Sequence, residues 1–449
     1  MRTISQGRVG PGAALLPDAQ PDTSMTLDFT QTLAFAGLVL FLGYGIKRAV
    51  PLLTRYNLPA PVIGGLIVSG LITVIRRPDW NPIVFDTALQ PPLMIAFFTT
   101  VGFAASLSVL RVGGPQVLRF FLLSAVIAVV QNVVGASLAQ ALGQHPLMGV
   151  LAGSVTLTGG PATGLAFAPE FAAAGLAGAA TLAVAAAMVG IVAGGILGGP
   201  VGTWLVERGK LRLASTSSAP FAPDVAAHVV EAASPEPAAA TPAGEDVEAY
   251  GLLKTLVVIL FAMWIGGWVS TWIQTHVSFP AFIPGLGGRA LTLPAYIGAM
   301  LVAAVIRNID DVTGLFGLSQ KLIDDLGSVA LSLFLALALM SLKLWELAGL
   351  AVPLAIILIA QLSIVVLVAA FVVFRTMGKD YEAAVMSSGF VGFMLGTTAN
   401  AMANMEAMVQ RFGPAPRAFL VVPMVGAFFI DFANAILITL FLNVYRGAP

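Results

Sequence analysis

The stretch Leu151-Ala-Gly-Ser-Val-Thr-Leu-Thr-Gly-Gly-Pro-Ala-Thr-Gly164 begins apolar enough for a membrane interior and is then broken by Gly159, Gly160 and Pro161. A second stretch, Ser387-Ser-Gly-Phe-Val-Gly-Phe-Met-Leu-Gly-Thr-Thr-Ala-Asn-Ala-Met-Ala-Asn404, breaks in the same way around Gly396. In hydrocarbon a broken helix leaves N–H and C=O groups without partners. It is tolerated only where it is packed in protein or lines a wet cavity. Two such breaks, at matching places in two halves of a chain, point to the binding site of a transporter.

Composition agrees with a membrane setting. The 449 residues are 58% hydrophobic and only 10% charged, where a soluble domain carries about 25% charged residues. Mean hydropathy is +0.93. Lys and Arg balance Asp and Glu at 22 each, so no net charge draws the chain to nucleic acid. The absence of Cys excludes disulfides, iron–sulfur clusters and zinc–thiolate sites. With His145, His228 and His276 the only histidines, a multi-histidine metal centre is nearly excluded, and no cofactor is expected.

Residues 1–26 are polar, lack the apolar core of a secretory signal and read as a disordered tail; Met25 is a second candidate start. Apolar segments follow at 27–49, 59–75, 91–110, 116–142 and 178–206, each near the ~20 residues of a spanning helix. The broken stretch occupies about 147–175. Residues 207–250 turn rich in Ala, Pro, Ser and Glu and read as a flexible linker that divides the chain. The scheme then repeats over 251–446: 252–273, 293–307, 326–345, 348–374, a broken stretch at 383–408, and 417–443.

Short words recur at a nearly constant offset. Met188-Val-Gly190 and Met424-Val-Gly426 lie 236 positions apart, as do Gly160 and Gly396. Leu58-Pro-Ala60 and Leu293-Pro-Ala295 lie 235 apart, as do Ser106 and Ser341. The common offset argues for duplication. Five spans per half is odd, so the halves insert in opposite senses and form an inverted repeat. With both termini outside, the external basic residues are Arg2, Arg8, Arg76, Arg77, Arg289, Lys343 and Arg446, which leaves 15 of the 22 inside. That bias places the linker in the cytoplasm.

The broken stretches supply the candidate solute site: Thr156, Thr158, Gly159, Gly160, Pro161, Ala162 and Thr163 in the first, and Ser387, Ser388, Gly396, Thr397, Thr398, Asn400 and Asn404 in the second. Glycine lets a backbone turn and approach a ligand. Half-helix N-termini offer N–H groups and a positive dipole end to a carboxylate. Hydroxyl and carbonyl oxygens suit Na⁺. Arg411 is placed to grip a carboxylate, or else to mark the inner interface. Asp431 stands inside an apolar span with Asn434 on the same helical face; together with Thr398 and Asn404 they are the sodium candidates. Gly190, Gly194 and Gly198 read as close helix packing. Gln131, Asn132 and Gln361 read as amides that hydrogen-bond between helices, His145 as solvated, and Asp310-Asp311 and Lys379-Asp380 as loop charges.

Four segments resemble bacterial glutamate/sodium symporters: Arg411-Phe-Gly-Pro followed by Ala418-Phe-Leu-Val-Val-Pro-Met-Val-Gly-Ala-Phe-Phe-Ile-Asp431; Pro92-Leu-Met-Ile-Ala-Phe-Phe98; Leu147-Met-Gly-Val-Leu-Ala-Gly-Ser154; and Leu331 to Leu347. The likeness runs from about residue 27 to 445. It implies sodium-coupled uptake of L-glutamate by an all-α polytopic protein of the inner membrane. It also implies two inverted five-span repeats with re-entrant loops, a homodimer, and elevator movement of one domain against a scaffold. The family's first loop reads Gly-Gly-His-Gly-Thr, whereas this chain has Gly159-Gly-Pro-Ala-Thr163. Its second reads Gly-Ala-Thr-Pro-Thr-Ala-Ile-Ala-Asn-Met, against Gly396-Thr-Thr-Ala-Asn-Ala-Met-Ala-Asn-Met405 here. These departures bear on solute selectivity, and leave a related dicarboxylate or amino acid, coupled to Na⁺ or to protons, as the alternative. A channel is disfavoured because no ring of identical residues exists within one chain. An enzyme is disfavoured because no nucleophile–base pair stands near either loop.

Overall fold

The computed structural model describes residues 24–76, 82–108, 114–211, 245–278, 291–347 and 349–446. Residues 1–23 of the expected tail and 212–244 of the expected linker lie outside them. The described chain is helical apart from two short parallel strands, β1 (Met25–Leu27) and β2 (Ile83–Phe85). The tail boundary at 26 therefore falls inside a strand. Likewise helix extends past both expected edges of the linker, to Gly209 and from Glu245.

The first half contains α1 (Phe29–Ala49), α2 (Pro51–Arg55), α3 (Ala60–Ile75), α4 (Gln90–Ala104) and α5 (Gly114–Ala141). A broken hairpin follows: α6 (Pro146–Val150) runs into a π-helical turn (Leu151–Val155), and α7 (Gly160–Ala173) returns. The half closes with α8 (Ala179–Gly209). The second half has α9 (Glu245–His276), α10 (Ala295–Thr313), α11 (Gln320–Met340) and α12 (Ala351–Val368), which continues through a π turn to Thr376. Its hairpin is α13 (Tyr381–Leu395) and α14 (Thr398–Phe412), and α15 (Pro416–Phe428) and α16 (Ile430–Tyr445) end the chain. Long helix, Leu-Pro-Ala-initiated helix, third helix, long helix, broken hairpin and closing helix recur in the same order.

Local chemistry sets the ends. Asp28 starts α1 with a reciprocal cap, accepting from Gln31 N at 2.8 Å while the Gln31 side chain accepts from Asp28 N at 3.1 Å. Pro at the first turn opens α3, α4, α6, α7 and α15, where a missing N–H costs nothing. Asp380 starts α13 by accepting from Ala383 N at 2.7 Å, so it is a cap as well as a loop charge. Asp310 is not a solvated loop charge either. It is 8% exposed and accepts N–H bonds from Phe316, Gly317 and Leu318.

Among the described residues six helices are long and apolar enough to cross a membrane, and up to seven if the pair α15–α16, bent by 41°, is one span. The other three expected spans form α3, α4 and α10, of 16, 15 and 19 residues. The first two are short, and the last ends in Arg307, Asp310 and Asp311, so length and composition do not by themselves make them spanning. The outside of the bundle is apolar: Leu38 and Phe41 of α1, and Leu260, Trp264, Trp268 and Trp272 of α9, are each more than 50% exposed. That is the surface of a multi-pass membrane protein, with water-seeking groups kept inside or at the ends.

The helices sort into two groups by packing. In one, α3 packs on α1 and α11, and α10 packs on α9 and α4, with α4 against α11. In the other, α5, α8 and α12 surround the two hairpins, with α15 and α16 against α5. Each group thus takes the corresponding elements from both halves.

Backbone contacts in the first group are close. A Cβ added at Gly43 would lie 2.0 Å from the Ala60 carbonyl oxygen, whereas Gly45 has nothing within 4 Å. Gly43→Ala is expected to destabilise by about 1–3 kcal/mol, since the helices must separate. Gly45→Ala should be neutral or stabilising by about 0.5–1 kcal/mol. Melting temperatures of the two purified variants check the contrast.

Candidate functional site

The first hairpin breaks at Gly153, whose backbone leaves the helical region (φ −100°, ψ −129°). Around this break the Ser154 carbonyl accepts from Gly159 N at 3.0 Å. Two buried amides supply further partners. Asn132 Oδ1 on α5 accepts the Ser154 N–H at 3.0 Å, and Asn434 Nδ2 on α16 donates to the Ser154 carbonyl at 2.9 Å. Thr156 Oγ1 donates to the Leu151 carbonyl at 2.7 Å, closing the same turn. In an apolar layer each of these groups, left bare, would cost several kcal/mol.

The second hairpin breaks at Gly396 (φ −152°, ψ −99°), and Thr397 begins the next helix, its hydroxyl accepting from Asn400 N at 3.3 Å. Asn400 Nδ2 donates to the Ile191 carbonyl at 2.8 Å, and Asn404 Nδ2 to the Gly194 carbonyl at 2.9 Å, both on α8. The glycine run on α8 makes room for this. A Cβ at Gly190 would lie 2.4 Å from the Leu395 carbonyl oxygen, and one at Gly198 2.0 Å from Asn404 Nδ2. The run packs helices, as its spacing suggests, and what it packs is the second broken stretch.

Gln131 joins the two breaks. Its Nε2 donates to the Met394 carbonyl at 3.3 Å, its Oε1 accepts from Thr158 Oγ1 at 2.9 Å, and its backbone carbonyl accepts from Gln361 Nε2 at 2.7 Å. The tips themselves meet. Gly160 holds a left-handed backbone (φ +69°), and a Cβ there would stand 3.7 Å from the Gly396 carbonyl oxygen. From these tips α7 and α14 run away, so two helix N-termini converge on one place in the bundle interior. Their first-turn N–H groups, of which Asn400 N is capped by Thr397, and their positive dipole ends form an anion-attracting pair. Pro161 removes one donor from the α7 side.

Not every candidate lies at the tips. Thr156, Thr158, Gly160, Pro161, Ala162, Thr163, Asn400 and Asn404 are buried in or beside the two breaks, with Gly159 half-buried between them and Thr163 packed over it. Gly396 and Thr397 form the second turn, and Thr398 opens α14 with its hydroxyl against α15, 2.8 Å from where a Gly426 Cβ would stand. Ser387 and Ser388 sit two turns earlier in α13; Ser387 Oγ donates to the Ala383 carbonyl at 2.8 Å. Arg411 is far along α14, more than half exposed, and pairs with Glu207 at 2.7 Å. It faces the helix ends and not the tips, and its carboxylate partner comes from α8. The sodium candidates are not gathered in one shell: Asn434 holds the first break, while Asn404 turns to α8. Asp431 stands half-buried one turn before Asn434, with no ion pair or hydrogen bond among the described residues. His145, read as solvated, caps α6 and accepts from Leu147 N at 3.2 Å.

Four buried oxygens near these breaks accept no hydrogen bond: Ser154 Oγ, Ser388 Oγ, Asn400 Oδ1 and Asn434 Oδ1. The Asn434 and Asn400 amides are oriented by their donor bonds to backbone carbonyls, so the bare atoms are oxygens. Neutral hard oxygens in an apolar interior fit an alkali cation. Ser154 and Gln131 were not marked out as part of the site by the sequence. The available signal was a Gln-Asn pair in the middle of a 28-residue apolar helix.

Residues 25–414 match the family described as sodium/glutamate symporter. The chain belongs to that family. It is 41% identical over 416 residues to the sodium/glutamate symporter of Haemophilus influenzae, covering 92% of this chain and 97% of that protein. It is 40% identical over 422 residues to the sodium/glutamate symporter of Escherichia coli, covering 93% and 98%. No solved structure matches the chain. Membership places it among transporters and gives no sign of enzymatic chemistry.

Removing Asn132 takes the side-chain acceptor from the Ser154 N–H, whereas removing Asn434 leaves the Ser154 C=O with Gly159 N as a donor. Asn132→Ala is expected to destabilise by about 1–3 kcal/mol, and Asn434→Ala by about 0.5–1.5 kcal/mol. Because both act on one turn, the double variant should fall short of the sum. Thermal unfolding of the three purified variants measures this.

Proposed function

We propose that the chain is a secondary active transporter that carries L-glutamate into the cell with Na⁺ by alternating access. The observation that carries this reading is the meeting of two half-helix N-termini, at Gly160 and Gly396, beside unpaired buried oxygens. The N-termini suit the solute's carboxylates, and the oxygens suit the coupling cation. The names of the relatives at 40–41% identity point to the same pair of solutes. Asp431, one turn before the Asn434 that binds the first break, is assigned to the cation.

The repeated element order supports an inverted duplication with five spans in each half. The reciprocal packing, α3 on α11 and α10 on α4, is what a pseudo-twofold axis in the membrane plane would produce. The excess of Lys and Arg on one side supports both termini outside and the 207–250 linker inside. The division into two helix groups supports an elevator, in which the hairpin group slides along the other. A cavity of about 400 Å³ lies on this seam, between α4 and α11 on one side and α7 and the start of α8 on the other. The outer group would form the scaffold of a homodimer in the bacterial inner membrane.

The test is uptake of radiolabelled L-glutamate by proteoliposomes. Accumulation should require an inward sodium gradient, which a channel cannot convert into concentration of the solute. Competition by aspartate and other dicarboxylates reads the effect of Pro161 and Ala162 on selectivity. Uptake driven by a proton gradient alone would overturn sodium coupling. Asp431→Asn should weaken sodium activation at least tenfold, about 1.4 kcal/mol. Unchanged sodium dependence in that variant removes Asp431 from the cation site.

A further inference from the structure

We infer that a basic pocket at the end of α8 binds the headgroup of an anionic phospholipid. The pocket holds about 370 Å³ and lies between the last turns of α8 and the foot of α12, lined by Trp204, Arg208, Phe371, Phe374, Arg375 and Lys379. It contains three cations and no carboxylate. The neighbouring acids are committed elsewhere, Glu207 to Arg411 at 2.7 Å and Asp380 to Arg417 at 2.6 Å. Among the described residues, Arg208, Arg375 and Lys379 have no acidic partner. Three like charges in one pocket repel, and a phosphate between them removes the repulsion.

The opposite wall is aromatic. Arg208 lies over the Trp204 ring at 5.2 Å, Arg375 over the Phe371 ring at 5.6 Å, and the two rings meet edge to face at 6.3 Å. Trp204 is 41% and Phe371 45% exposed, on helices long and apolar enough to span. Their faces are therefore open to lipid chains at the level where the cations begin. A site with cations at one end and open apolar faces at the other matches a phospholipid, and exceeds what a free phosphate needs. Arginine suits phosphate because its fork donates two parallel bonds. Lys379 holds a left-handed backbone (φ +58°) after Gly378 (φ +125°), an uncommon conformation for a lysine, in the turn that brings it to the pocket. The proposed orientation enters only in naming the inner leaflet as the source; the site itself does not depend on glutamate or Na⁺.

The full-length protein in neutral detergent is titrated with phosphatidylglycerol, with phosphatidylcholine and with inorganic phosphate, and read by native mass spectrometry. Phosphatidylglycerol should bind at least tenfold more tightly than phosphatidylcholine, and inorganic phosphate should not compete at equal concentration. Each basic residue near an anionic headgroup contributes about fivefold, so Arg208→Gln/Arg375→Gln/Lys379→Gln should weaken binding on the order of 100-fold. Lys47→Gln/Arg48→Gln/Arg55→Gln, which removes as much charge elsewhere, should leave it unchanged. Equal binding of the two lipids, equal competition by phosphate, or equal loss in both triple variants overturns the inference. The lipid comparison on the unaltered protein decides the matter even if a variant is unstable. Sodium-driven uptake in phosphatidylcholine liposomes reads transport separately.

Discussion

A helix broken inside an apolar layer must find partners for the peptide groups it frees, and the interior of this protein is arranged around that requirement. At Ser154 the side-chain partners are Asn132 and Asn434, drawn from α5 and the last helix. A shift of either helix breaks a buried hydrogen bond to this turn, so the hairpin is tied to its supports. The breaks themselves persist because Gly153 and Gly396 adopt backbone angles outside the helix. The cost of the break and the repair of the break are thus written in residues far apart in the chain.

The two hairpins are also bound to each other. Gln131 touches both, and the glycine run of α8 admits the second hairpin close enough for Asn400 and Asn404 to reach helix carbonyls. Amides do this work where charges would not, since a buried charge needs a partner and a buried amide needs only a peptide group. The result is a buried core that orients polar atoms by hydrogen bonds to the backbone. Preorganised oxygens and N–H groups of this kind bind small ions without the cost of reordering the protein.

Much of the architecture could be read directly. Long apolar runs gave α1, α5, α8, α9, α11 and α12, and Gly and Thr clusters, with Pro161 in the first, fall within several residues of both breaks. The offset of 236 paired Gly160 with Gly396, and the structure brings those residues together. Other features had no local signature. Asn434 and Ser154 are 280 positions apart, and Arg411 and Glu207 are 204 apart, so only the fold makes them partners. Strands of three residues, such as β1 and β2, are too short to show an alternating pattern. The helices α3 and α4 fall short of spanning length, which is why counting apolar runs and counting long helices give different totals. For the candidate site, residue types and their neighbourhood were legible, whereas the direction of each side chain was not. Ser387 and Thr398 illustrate this, one bonded within its own helix and the other turned to α15.

The sorting of helices into two groups has a mechanical corollary. The chain passes between the groups three times, from α4 to α5, from α8 to α9 and from α11 to α12. The first crossing has nine residues between Ala104 and Gly114, and the last has ten between Met340 and Ala351. A fully extended segment of that size reaches about 30–35 Å. If the groups move as the proposed elevator requires, these short crossings would act as leashes, one in each half, and would cap how far one group can travel along the other. The crossing between α8 and α9 has 35 residues between Gly209 and Glu245, too many by length alone to set such a limit. In the proposed elevator, stroke length would then be a property of two connectors, and shortening either one by a few residues would curtail travel without touching a single solute contact.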